Sequence, residues 1–406
     1  MRTVFWRGVL IVLCCLAYPA YAGAAEENAA APRGTLVIAG GALRADNAPV
    51  WQRIVALAGG KGARIAVFGL AAGKPAQSAQ LHAERLRAHG AQAFAVPGDG
   101  AEDPALAAQV ASAGGAFFVG GDQARITAGL RRPDGSNTAM LDALWRMYRG
   151  GGVIAGTSAG AAVMSSTMFD NTPPLMDVLR KGVRDGAGLA PGLGFIGADV
   201  FVDQHLLVRG RFARMLPAML AKGYRLGLGI DENTAMIVHP TREVEVLGYK
   251  GALLVDLSGA SSMPGPFNVR GARISYLDHG DRYHLGTGRY LPSADKAAGL
   301  FTPGPPIGEA VFSADILGQY AVIDLMANLF TSGQQQATGL AFSPPGSTGA
   351  RMGFEFRLRR DSASRAYMSA TSSAVSLYEI VLDVAPVTMP KSLYGPYKES
   401  SAESSE

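Results

Sequence analysis

The stretch Val153-Ile154-Ala155-Gly156-Thr157-Ser158-Ala159-Gly160-Ala161-Ala162-Val163 decides the reading of the fold. Val153–Ala155 is a short continuous apolar run, as in a strand buried on both faces. Ala161–Met168 reads as a helix-forming run. Between them stands G-x-S-x-G, in the strand–turn–helix context that a nucleophile elbow requires. Such a turn strains the backbone at Ser158, and small neighbours permit the close approach. Ser158 Oγ then stands exposed at the carboxyl end of a sheet, beside N–H donors placed where an oxyanion would form.

The same alternation extends outward on both sides. Strands are expected at Thr35–Ile38, Arg64–Leu70, Ala91–Pro97 and Ala116–Val119. Helices are expected around Trp51–Ala58 and over Pro75–His89, Ala105–Ala113 and Thr138–Arg149. Short apolar strands alternating with helices predict an α/β fold, a predominantly parallel sheet covered by helices on both faces. Ala235–Val238, Val244–Leu247, Ala252–Val255 and Ala272–Leu277 follow as successive strands, expected to form an antiparallel edge. Residues 34–296 are thus read as one α/β domain. Gly- and Pro-rich chain over 297–310 predicts a boundary. Residues 297–390 are read as a C-terminal extension or small module, with a helix over Ala314–Leu329 and strands at Gly353–Leu358 and Ser376–Val384. The Ser- and Glu-rich tail 391–406 is expected to be disordered.

The chain of 406 residues is 48% hydrophobic and carries 52 glycines, enough for a large core and many tight turns. At its start, Arg2 and Arg7 precede the apolar run Val9–Ala17, and Ala20-Tyr21-Ala22 fits a small-x-small cleavage site. Residues 1–22 are therefore read as a signal peptide and 23–33 as a linker, which predicts an exported protein, secreted or periplasmic. The apolar run is short for a membrane span, so no membrane attachment is expected after cleavage. Both cysteines, Cys14 and Cys15, fall in that leader. The rest of the chain can form neither disulfides nor a thiolate nucleophile. The formal net charge of +4 includes the two leader arginines. With no basic block interleaved with aromatics, nucleic acid is not expected as a partner.

A serine nucleophile needs a base, and the chain has six histidines. No H-x-x-x-H or H-x-x-E-H spacing occurs, so neither a metal site nor any cofactor is expected. His205 stands in Asp203-Gln204-His205, just after the expected strand Asp199–Val202, at the sheet end where Ser158 should lie. Arg209, Arg211 and Arg214 follow within ten residues and could hold anionic groups bidentately.

Four separated motifs together carry a resemblance: Gly120-Gly121-Asp122-Gln123, Gly156–Gly160, Asp203-Gln204-His205 with its three arginines, and Gly229-Ile230-Asp231-Glu232-Asn233-Thr234-Ala235. Over roughly residues 34–290 the chain resembles the cyanophycinases, serine peptidases related to aspartyl dipeptidase. The leader makes it similar to the exported bacterial form. The resemblance implies a fold like class I glutamine amidotransferases, flavodoxin-like in its sheet. It implies Ser158 as nucleophile, His205 as general base and Glu232 as the third triad member. Asp231 is the competitor, since adjacent residues after a strand face opposite ways and only one can meet His205. The resemblance further implies an oxyanion hole from the N–H groups of Gly121 and Ala159. It implies substrate contacts by Gln123, Asp203, Gln204, Arg209, Arg211 and Arg214, and a homodimer. Asp122 departs from the family pattern, where Asn is common, and would place an acid near the oxyanion hole unless it turns outward.

Cyanophycin is poly-aspartate with arginine joined to each side-chain carboxylate, so every unit carries one guanidinium and one free carboxylate. A site for it needs groups of both signs, and its expected product is the β-Asp-Arg dipeptide. The competing expectations are an aspartyl or isoaspartyl dipeptidase on the same fold, and a non-catalytic exported binding protein.

Overall fold

The computed structural model describes residues 32–389 except 345–346 and 348–350. The expected leader, nearly all of the expected linker and the tail 391–406 lie outside the described residues.

The first third of the chain runs β1 (Thr35–Ala39), α1 (Ala48–Leu57), β2 (Arg64–Phe68), α2 (Pro75–Ala88), β3 (Gln92–Val96), α3 (Pro104–Ala111), β4 (Gly115–Phe118), α4 (Gln123–Leu130), α5 (Ala139–Arg149) and β5 (Val153–Thr157). Local sequence explains several of these boundaries. Pro75 and Pro104 occupy first turns, where a missing N–H costs nothing. Asp103 caps α3 by accepting from Ala105 and Leu106, and Thr138 caps α5 through Leu141.

The middle of the chain supplies α6 (Ala159–Ala162), β6 (Thr167–Phe169), α7 (Leu175–Lys181), β7 (Arg184–Asp185), β8 (Gly188–Pro191), β9 (Val200–Gln204), α8 (Phe212–Lys222), β10 (Leu226–Ile230), β11 (Thr234–Val238), β12 (Glu243–Gly248), β13 (Ala252–Asp256) and β14 (Val269–Leu277). The last part adds β15 (Arg282–His284), β16 (Tyr290–Leu291), β17 (Val311–Ser313), α9 (Ala321–Thr331), β18 (Gln336–Ala341), β19 (Met352–Arg359), β20 (Arg365–Met368) and β21 (Val375–Thr388).

Two large sheets result. The first has the order β16-β15-β12-β11-β1-β5-β4-β2-β3. Its pairs from β1 to β3 are all parallel, and β11, β12, β15 and β16 add antiparallel strands at one side. Strands β3-β2-β4-β5 stand in the doubly wound, flavodoxin-like arrangement. Alternate residues feed opposite cores. Val37, Val67, Phe117 and Ala155 pack with α1 and α2. Leu36, Phe68, Phe118 and Ile154 pack with α3, α4 and α5. This two-sided burial is why the strands read as unbroken apolar runs.

The second sheet has the order β17-β18-β19-β21-β14-β13-β10-β9. One face, through Val200, Val202, Leu228 and Leu254, enters the same core as the first sheet. The other face is covered by α8 and α9. Sequence reading had placed β11 to β14 together as the edge of one sheet. The chain instead leaves the first sheet after β12, and β13 and β14 join β9 and β10. The strands expected beyond residue 310 add to this second sheet through β14 and β21. The expected helix over Ala314–Leu329 is realised as Ala321–Thr331.

Candidate active site

Ser158 follows β5 directly, with φ 55° and ψ −111°. A non-glycine residue there stores on the order of 1–3 kcal/mol of strain, held by its surroundings. Those surroundings are specific. The Ser158 N–H donates to the Ala39 carbonyl at 3.0 Å, and its own carbonyl accepts from Ala161 at 2.9 Å. A Cβ on Gly156 would lie 2.4 Å from the Gly160 carbonyl oxygen, and one on Gly160 would lie 2.3 Å from that of Phe118. Both glycines of the pentapeptide are therefore required by backbone contact. The expected helix after the elbow is shorter than its sequence suggests. It closes at Ala162, and Thr167–Phe169 pairs with β8 instead.

His205 follows β9 and also has positive φ, 51°. Its N–H donates to Gly40 at 2.8 Å, tying it to the end of β1. The imidazole lies over Gly41, where a Cβ would come within 2.2 Å of Cε1. Nε2 meets Ser158 Oγ at 2.9 Å, and Nδ1 meets Glu232 Oε1 at 2.5 Å. Ser158, His205 and Glu232 are thus one hydrogen-bonded line across the carboxyl ends of β5, β9 and β10. Burial holds the His205 pKa below the ordinary value. The Glu232 hydrogen bond opposes that, and the charge of Arg209 adds to it.

The structure separates the two acids after β10. Asp231 is wholly buried, and its Oδ1 accepts from the N–H groups of Leu207 at 3.3 Å and Val208 at 3.2 Å. Its Oδ2 accepts from the Tyr320 hydroxyl. Glu232 is the acid that faces His205. Asn233, at φ 54°, makes the turn. Its side-chain oxygen accepts from the N–H of Arg44 at 3.1 Å and from Asn47 Nδ2 at 2.9 Å. From sequence, Asn233 stood only inside its motif with no role given, and neither Asn47 nor Tyr320 was singled out.

Ala159 follows the serine, and Gly120, next to Gly121, packs on it: a Cβ on Gly120 would lie 3.2 Å from Ser158 Cβ. The N–H groups of Gly121 and Ala159 have no hydrogen-bond acceptor among the described residues. Gly121 sits at φ 142°, where a Cβ would strike the Ala71 carbonyl oxygen at 2.1 Å. Asp122 turns outward. It caps α4 by accepting from Ala124 and approaches Arg125 at 3.5 Å.

The expected substrate contacts divide into two groups. Arg214 and Asp203 are buried and bind each other through two 2.7 Å hydrogen bonds, with the guanidinium 4.0 Å from the Phe169 ring centroid. Each is taken up by the other in the structure. Gln123 Nε2 is likewise committed to the Phe169 carbonyl, at 2.5 Å. Arg211 donates from one nitrogen to the Gln204 carbonyl at 3.1 Å and side chain at 3.0 Å. Burial, aided by Arg214, brings the Arg211 pKa down to about 10. Arg209 is half exposed, 3.9 Å from Glu232. Arg209 and Arg211 keep donors for an outside anion. Among the described residues no group of three or more His, Cys, Asp or Glu could hold a metal.

A model of peptidase family S51 matches residues 35–244, which include all three members of the hydrogen-bonded line. The chain belongs to peptidase family S51. Within family S51 it is similar to the cyanophycinase of Geminocystis herdmanii, 31% identical over 264 residues, covering 62% of this chain and 93% of that protein. It is 32% identical to that of Thermosynechococcus vestitus over 246 residues, 57% of this chain and 72% of the relative. The cyanophycinase of Trichormus variabilis is 33% identical over 211 residues, 48% of this chain, and the match spans only 65% of that relative's length. The crystal structure of a peptidase from an acI-B1 Actinobacterium superposes with a TM-score of 0.48 at 20% identity, covering 63% of this chain and 98% of the other. The S51 match ends inside β12, so Tyr320 reaches Asp231 from chain beyond it.

Proposed function

We propose that the protein is an exported serine-type hydrolase that degrades cyanophycin to β-Asp-Arg dipeptides. The observation that carries the reading is the continuous hydrogen-bonded line from Ser158 through His205 to Glu232. Neutral His205 accepts the Ser158 proton as Oγ attacks the scissile carbonyl, and Glu232 stabilises the imidazolium that forms. The unpaired N–H groups of Gly121 and Ala159 receive the developing oxyanion. His205 returns its proton to the leaving amine, and water attacks the acyl-enzyme by the same route in reverse. No metal or cofactor enters this scheme.

A zwitterionic substrate suits the surroundings. Arg209 and the outer face of Arg211 meet substrate carboxylates, and the Asp203–Arg214 pair holds the wall from which Arg211 projects. Export rests on the leader pattern of residues 1–22, and a homodimer on the family resemblance. Light scattering of the mature chain would decide the latter. Incubating purified mature protein with insoluble cyanophycin should release β-Asp-Arg, seen by mass spectrometry. Folded protein that releases nothing would overturn the assignment. Cleavage of dipeptides without polymer turnover would move it to a dipeptidase.

A further inference from the structure

A cavity of about 680 Å³ lies along the same sheet edge as Ser158, lined in part by Tyr249, Lys250, Tyr276, Asp278, Asp295 and Tyr320. Its position follows from sheet register. Strand β5 ends just before Ser158, its parallel neighbour β1 ends at the same edge, β11 starts there, and β12 ends there with Gly248 opposite Thr234. The Tyr249 and Lys250 N–H groups bond to Asn233 and Thr234, just beyond Glu232. From β5 to β12 are three inter-strand steps of ~4.8 Å, so the cavity begins roughly 14 Å from the serine. An extended chain covers that in about four residues.

The lining has charges of both signs that the described residues leave unpaired. Among the described residues Lys250, Asp278 and Asp295 enter no ion pair. The Lys250 ammonium rests 4.5 Å over the Tyr320 ring. Asp278 accepts from the His279 N–H and Asp295 from the Ser293 hydroxyl, both close neighbours in the chain. The cavity at the far end of the second sheet differs: its Arg357 pairs with Glu355, and its Arg359 with Asp383. There both acids, Glu355 and Asp383, are taken up by arginines, and only Arg270 enters no ion pair among the described residues.

The acidic wall is also firmly backed. Behind it, Lys296 and Asp281 form a wholly buried ion pair at 3.0 Å. Asp281 further accepts from the N–H groups of Asp278 at 2.8 Å and Ser293 at 2.9 Å, and from the Ser376 hydroxyl. Lys296 also reaches the His279 carbonyl at 3.4 Å. A fully satisfied buried pair of this kind fixes geometry more than it adds stability. It ties Asp278, the 293–296 turn and β21 into one wall.

We infer that this cavity is a second polymer subsite, binding a guanidinium-and-carboxylate unit of the substrate several residues from the bond being cleaved. Asp278 and Asp295 take the guanidinium, the exposed Tyr249 ring offers it a stacking face, and Lys250 takes the carboxylate. The inference rests on the cyanophycin reading above. Tyr249, Lys250, Asp278 and Asp295 all lie beyond the S51 match, which ends at residue 244.

The test compares long cyanophycin with a two-unit β-Asp-Arg oligomer, too short to span from Ser158 to the cavity. The variants are Lys250→Gln and the double change Asp278→Asn with Asp295→Asn, each with its melting temperature matched to wild type. Polymer kcat/KM should fall about tenfold in each variant, through KM, with oligomer kinetics unchanged. An unchanged polymer KM, or equal losses on both substrates, would overturn the subsite. If wild type cleaves neither substrate, the hydrolase reading fails separately. Sedimentation of the proteins with insoluble cyanophycin then decides the subsite. Weaker binding by the variants supports it, and equal binding sinks it.

Discussion

The Tyr320 hydroxyl donates to Asp231, whose other oxygen accepts from the backbone of Leu207 and Val208. This joins the start of α9 to the loop that carries His205. The contact is reinforced at Gly210, where a Cβ would lie 2.3 Å from the Leu317 carbonyl oxygen. Tyr320→Phe leaves a buried carboxylate oxygen without its donor, at about 1–3 kcal/mol of stability. Denaturant unfolding should show that loss, and kcat should fall more than KM changes, because the imidazole is less well held against Ser158. A kcat equal to wild type would reduce the contact to structural support.

Ser158→Ala should remove at least ~10³-fold of turnover while polymer binding persists, because the charged contacts lie elsewhere. The two neighbouring acids give a sharper comparison. Glu232→Gln keeps the shape but loses the charge opposite the imidazolium, and should cost on the order of 10²–10⁴ in kcat. Asp231→Asn can still accept from Leu207 and Val208 and can donate to Tyr320, so its loss should be far smaller. Equal losses would refute the separation of roles between the two acids.

The site was legible in sequence where its logic is local. The elbow needs only Val153–Gly160, since strand, turn glycines and nucleophile are contiguous. His205 was placed by its distance from the end of β9. The choice between Asp231 and Glu232 could not be made from residues alone, because the turn at Asn233 sets which one faces inward. Tyr320 left no sequence signal: its partner is distant in the chain, and its region lies outside the family motifs. The second sheet was missed for a related reason. Strands β13 and β14 have the same antiparallel pattern whichever sheet receives them, and only packing against β9 and β10 decides. The pairing of Arg214 with Asp203 left no sequence signal, because a charged residue looks free until its buried partner is known.

The acid limb of kcat/KM should lie below the ordinary histidine value of ~6.5, since burial disfavours the imidazolium and only neutral His205 can accept a proton. Arg209 lowers that pKa further, so Arg209→Gln should move the limb upward. The stability linkage has the matching sign. A depressed histidine pKa contributes stability above the unfolded value, and that contribution is lost as pH falls through the folded one. Rate profiles of wild type and Arg209→Gln would check this, and an unmoved limb would remove Arg209 from the electrostatics of the base.

Arg211→Lys and Arg214→Lys should fail in different ways. Arg214 is buried and fits both oxygens of Asp203 with a planar fork. Lysine keeps the charge but cannot make both bonds in that geometry, and it loses the stacking on Phe169. The variant should lose about 1–3 kcal/mol of stability. Its activity should fall along with the wall that carries Arg211. Arg211 itself spends one nitrogen on Gln204 and keeps the others for substrate. Arg211→Lys should therefore melt close to wild type yet lose about tenfold to a hundredfold in kcat/KM on polymer. Thermal denaturation and polymer kinetics on the same two proteins separate the roles. If Arg211→Lys turns over polymer normally, the anion-holding role passes to Arg209 alone. If Arg214→Lys is as stable as wild type, the buried pair contributes nothing to the wall.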